Sequence, residues 1–117
     1  MLIKALKARI HQAAVTRASV DYPGGIAIDG ELLDAAAIAP HEIVLLANIT
    51  NGHRAETYVI AAPPGSGDIE ISGAAARLFN PGDRIIIINF GFYSPKEMKT
   101  HKPNVIVCDE KNRIKQN

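Results

Sequence analysis

The chain has 117 residues, 47% of them hydrophobic and 21% charged, with a formal net charge of +1. That length allows one hydrophobic core rather than two, and so small a net charge sets up no long-range field to favour nucleic acid or an anionic membrane. The apolar runs fall short of the roughly 20 residues of a membrane span. Residues 1–7 alternate with lysines and lack a signal-peptide apolar stretch, so a cytoplasmic protein is expected.

In chain order, residues 2–15 mix apolar and basic side chains and predict an extended strand with two unlike faces. Residues 17–21 read as a polar connection. Tyr22-Pro23-Gly24-Gly25 predicts a tight turn, because proline fixes φ and glycine permits positive φ or close backbone approach. It leads into a short strand, Ile26-Ala27-Ile28. Residues 30–38 carry helix formers at helical spacing and stop before Pro40. Residues 42–49 read as a buried strand, Asn51-Gly52 as a two-residue hairpin, and 54–61 as the returning strand. A loop follows at 63–67, a short strand at 68–72, one or two helical turns at 73–79, a turn at 80–83 and a central strand at 84–90. Ser94-Pro95-Lys96-Glu97 has a capping serine and a first-turn proline.

Residues 104–108 make a last strand and 109–117 a charged tail expected to fray. The lone Cys108 permits no internal disulfide and reads as a small buried hydrophobe. Many short strands with brief helical inserts in a single domain, 1–117, predict a compact, mainly β barrel with some α+β character. His41, His53 and His101 show no ligand spacing, so no metal site is predicted. Gly24-Gly25 and Gly65-Ser66-Gly67 match neither phosphate-loop nor dinucleotide patterns.

Four segments, in order, are similar to one family. They are Ala8-Arg9-Ile10-His11-Gln12-Ala13-Ala14-Val15-Thr16, the turn from Tyr22 to Asp29, Asn51-Gly52-His53-Arg54-Ala55-Glu56-Thr57-Tyr58, and Ser72-Gly73-Ala74-Ala75-Ala76; Lys102-Pro103 also fits. The chain resembles the aspartate 1-decarboxylases, pyruvoyl enzymes that convert L-aspartate to β-alanine and CO2 for pantothenate synthesis. The resemblance implies a double-psi β-barrel and a homotetramer with active sites between neighbouring subunits. It also implies a covalently bound pyruvoyl group, made when a serine hydroxyl attacks the preceding glycine carbonyl and β-elimination cuts the chain. Pyruvoyl serves as the electron sink for the decarboxylated amino acid.

Gly25 stands where the family has that serine, so the cleavage site would be Gly24-Gly25. Glycine has no hydroxyl to attack with and no β-carbon to eliminate from. No pyruvoyl, and no other cofactor, is therefore expected here. Ser19 and Ser66 do not stand in the motif. Arg9 replaces the family's lysine, keeping the charge but presenting a fork in place of a point. Ser72 replaces an asparagine tied to self-processing, and its hydroxyl is a shorter donor. Changes at 9, 25 and 72 together favour natural divergence over a single substitution made to block cleavage.

By resemblance, Arg54 pairs a substrate carboxylate such as that of L-aspartate, and its alternative is an exposed strand-end charge. Tyr58 delivers a proton to the substrate, or is a core tyrosine with a satisfied hydroxyl. Alternation puts Tyr58 on one face with Arg54 and Glu56. His11 exchanges protons or is structural, and it shares a face with Arg9 by period two. Tyr22 belongs to the pocket, while Thr57 in the family orients the cleavage carbonyl and here reads as a plain strand threonine. Gly73, Ala74 and Ala75 form a pocket wall by tight packing, with anion binding at a helix start as the alternative. Besides an uncleaved decarboxylase-family chain, two readings stay open: a cofactor-independent enzyme on a small carboxylic acid, and a non-catalytic binding or assembly subunit.

Overall fold

A computed structural model describes residues 1–115. Its strands are β1 (Ile3–Ala14), β2 (Arg17–Ser19), β3 (Gly25–Asp29), β4 (Ile43–Asn48), β5 (Arg54–Ala62), β6 (Ile69–Ser72), β7 (Arg84–Tyr93) and β8 (Asn104–Val107). Helix α1 spans Gly30–Ala36, a 3₁₀ turn Ala74–Leu78 and helix α2 Pro95–Met98. All eight strands join in the order β2-β6-β3-β5-β4-β7-β1-β8. β1 and β2 are separated by only Val15 and Thr16 yet stand near opposite ends of that order, so the sheet curls and closes. The Thr16 amide donates to the Ile69 carbonyl at 2.9 Å at the closure. Three pairs are parallel, β1–β8, β2–β6 and β3–β5. This mainly β architecture is that of the expected double-psi barrel.

Alternation fills the interior. Ala8, Ile10, Ile26, Ile28, Val44, Leu46, Val59, Ile69, Ile71, Ile85 and Ile87 all point inward and are fully buried. Leu32, Leu33 and Ala36 of α1 and Phe79 cover the rest of the core. Cys108 is buried as expected, and burial, helped by the Asp109 charge, pushes its thiol up to about 11. The predicted serine cap of α2 is present, as a reciprocal capping box between Ser94 and Glu97.

Several sequence expectations change. β2 lies inside the supposed connection 17–21, and Gly25 is the first residue of β3 rather than part of the turn. The strand read as buried at 42–49 is buried on one face only, with Ile43 54% exposed, because a barrel strand turns its other face outward. The two-residue hairpin is a longer connection, 49–53. It is held by the Asn48 and Asn51 side chains, which accept from the Thr50 and His53 amides. The tail does not fray over 109–115. Asn112 is buried and bonds Ala14 and Gly67, and Lys115 donates its amide to Val107. Residues 116 and 117 of the predicted tail lie outside the described residues.

Candidate functional site

The turn after β2 brings the chain back beneath β5. Gly25 opens β3 one step before the Ile26–Val59 pair, so it lies beside Tyr58, and it pairs directly with Ser72 on β6. Ser72 in turn pairs with Ser19 on β2. The next row of the same outward face reads Arg17, Glu70, Ala27 and Ile60. Polar side chains thus rise on β2 and β6, and the small Gly25 and Ala27 leave a depression beside them.

Tyr58 covers the glycines. Its hydroxyl donates to the Gly24 carbonyl at 2.8 Å. Gly25 has φ +107°, and a Cβ there would stand 2.8 Å from Ile60 Cδ1 and 3.0 Å from Tyr58 Cε2. Gly73 is more constrained: at φ +79° its Cβ would meet Gly24 Cα at 2.8 Å and Gly24 N at 3.1 Å. Only glycine lets the two backbone segments touch. The Gly73 amide is taken by the Ser19 carbonyl at 2.9 Å, which fits the packing reading of Gly73-Ala74-Ala75.

Beside this turn is a cavity of about 320 Å³ lined by Arg17, Tyr22, Glu70 and Ser72. Arg17 donates from Nη2 to the Tyr22 hydroxyl at 3.1 Å and from Nε to Ser19 Oγ at 3.3 Å. Its guanidinium lies 5.0 Å from the centre of the Tyr22 ring. Neither Arg17 nor Glu70 was singled out from the sequence. A three-residue strand is too short to show a period, although the alternation of Ile69-Glu70-Ile71-Ser72 already puts Glu70 and Ser72 on one outward face.

The remaining expected residues do not converge in one protomer. Arg54, Glu56 and Tyr58 share the outward face of β5, as alternation predicts, but four residues along a strand separate Arg54 from Tyr58 by about 13 Å. Thr57 faces the other way, level with buried Val44 on β4. Arg9 and His11 sit on β1, with β5, β4 and β7 intervening between it and β3. Arg9 Nε and His11 Nδ1 are buried without hydrogen-bond partners. Burial, then the Arg9 and Arg84 charges, lower the His11 pKa below its usual value and favour the neutral ring. Among the described residues no group of three or more His, Cys, Asp or Glu is placed to hold a metal ion.

The group a serine at position 25 would yield does not fit these residues, because Gly25 carries no side-chain atom from which to form it. Fold and site define a small β-barrel protein with a glycine-rich turn held beneath a tyrosine hydroxyl, next to an open polar cavity. The aspartate decarboxylase family model matches residues 1–115. The chain is 48% identical to the aspartate 1-decarboxylase of Phenylobacterium zucineum over 98% of both chains. It is 50% identical to that of Acetivibrio thermocellus, over 97% of this chain and 90% of the relative, and 49% identical to that of Heliobacterium modesticaldum, over 92% and 82%. The chain belongs to the aspartate decarboxylase family.

Proposed function

We propose that this protein keeps the small-carboxylate pocket of its family while remaining a single uncleaved polypeptide, 1–117, without pyruvoyl. The observation that carries this reading is the Gly24–Gly25 step itself. Gly25 offers no nucleophile, and the hydroxyl of Tyr58 is engaged by the Gly24 carbonyl at 2.8 Å. The same bond favours binding over turnover, because the proton Tyr58 would deliver by resemblance is directed at the Gly24 carbonyl oxygen rather than at a ligand. The ligand class is a small carboxylate such as L-aspartate, the substrate named for its relatives. Cytoplasmic location belongs to the same reading.

A homotetramer completes the site. Arg9, His11 and Arg54 lie away from Tyr58 in the protomer, and apolar side chains crowd the outer surface near it: Ile43 pairs with Tyr58, and Ile60 is 41% exposed. In a closed assembly a neighbour's Arg9 and His11 can reach the turn of the next subunit.

The test is the denatured intact mass, followed by thermal melting with L-aspartate. The expected result is one full-length species whose melting temperature rises with ligand, since a ligand bound only to the folded state stabilises it. Two fragments split after Gly24 would sink the reading. So would steady β-alanine production by uncleaved protein.

A further inference from the structure

We infer that Arg17 and Glu70 form a charge clamp for a small zwitterionic amino acid, Arg17 holding its carboxylate and Glu70 its ammonium. The inference rests on the small-carboxylate reading above and adds to it two residues that the family segments do not contain.

Arg17 and Glu70 are register neighbours on the parallel β2–β6 pair and share its outward face. Opposite charges on neighbouring strand positions attract each other. Among the described residues these two form no ion pair, and both instead line the cavity. Arg17 is held open by its bonds to Ser19 and Tyr22. Those bonds use Nε–H and one Nη2–H, leaving both hydrogens of Nη1 and one of Nη2 for a ligand. An arginine oriented in advance by stacking and hydrogen bonds loses less freedom when it grips a carboxylate. Glu70 is half-buried and Ser72 supplies a hydroxyl beside it. A cavity of about 320 Å³ is at the small end of ligand pockets, roughly 300–1,000 Å³. One positive and one negative wall suit a molecule carrying both charges better than a simple acid.

The test is calorimetric titration of the full chain with L-aspartate and with succinate, which has the two carboxylates but no amine. Arg17→Ala is expected to weaken both ligands about tenfold or more. Glu70→Gln is expected to weaken L-aspartate by a similar factor and leave succinate within about twofold. Arg17 is exposed, so its removal spares the core. Arg17→Lys, which keeps the charge and loses the fork, is expected to lie between parent and Arg17→Ala. If Arg17→Ala binds like the parent while Arg54→Ala does not bind, the acid is held elsewhere; the clamp is then wrong and the carboxylate reading stands. If Glu70→Gln weakens both ligands equally, the amine half is wrong. If the parent binds neither ligand, both readings fall.

Discussion

Gly25 and Gly73 both have positive φ, but for different reasons, and the difference is measurable. At Gly25 the atoms a Cβ would meet are the far end of Ile60 and the ring edge of Tyr58. Those side chains can turn aside, leaving mainly the cost of an L-residue in left-handed backbone, about 1–2 kcal/mol. At Gly73 the atoms met are the backbone of Gly24. Backbone cannot turn aside without opening the β3–β6 pair. Gly25→Ala should therefore lower the urea-unfolding stability by about 1–2 kcal/mol, and Gly73→Ala by about 3 kcal/mol or more. Equal losses would mean that Gly73 is not what joins the two segments. Gly25→Ser adds the missing hydroxyl but inherits the same backbone strain. Both glycines stand out in the sequence; which one is fixed by backbone contact is visible only once Ser72 and Gly25 are seen to pair.

Asp29 shows how one element organises two loops. It caps α1 by accepting from the Glu31 amide and also accepts from the Gly65 and Gly67 amides, all at 2.9 Å. Arg113 approaches it at 4.0 Å while donating to the Gly65 carbonyl. The side chain is 1% exposed. Burial by itself would raise its pKa, but the three amides and Arg113 outweigh that and hold it below the usual 3.8. Because the folded pKa is the lower one, this stabilisation is fully present above the unfolded value and is lost as pH falls through the folded one. Asp29→Asn should cost about 2 kcal/mol at pH 7, since an amide nitrogen would face one of the donors. It should also flatten the loss of stability that sets in as pH falls below the unfolded value of 3.8 and through the lower folded one. Stability curves for the two proteins at several pH values check both; identical acid slopes would remove Asp29 from the account. The sequence shows an aspartate before a helix, which is the cap. It does not show the loop at 63–67 or residue 113, because contacts between positions 38 and 84 residues apart leave no local pattern. For the same reason the tail looked free: Asn112, which ties it to Ala14, is an ordinary polar residue until its partner is known.

Across the whole molecule, burial alternates between the inward and outward faces of the strands, but the sequence shows this only in part: β4 and β7 carry unbroken apolar runs, and nothing in their residue types tells buried Val44 and Leu46 from outward Ile43. What alternation leaves open is what the outward face meets. Arg9 and His11 share a face with each other as predicted, yet the strand order carries them to a different side of the barrel from Tyr58, and only topology reveals that. The outward apolar residues Ile43, Ile60 and Phe92 are 54%, 41% and 65% exposed. Ile43 stands directly opposite Tyr58 in the β4–β5 pair, so a neighbour packed there would also lie over the site. Replacing Ile43 with glutamate adds a charge that a subunit interface would have to bury, while the protomer alone loses little because the residue faces outward. Ile43→Glu should keep the far-ultraviolet spectrum of the parent and shift the sedimentation profile from a tetramer towards smaller species. Ligand binding should fall with it if a neighbour's Arg9 and His11 complete the pocket. A parent that sediments as a monomer, or a variant whose size and binding both match a tetrameric parent, would show that this face is not where subunits meet.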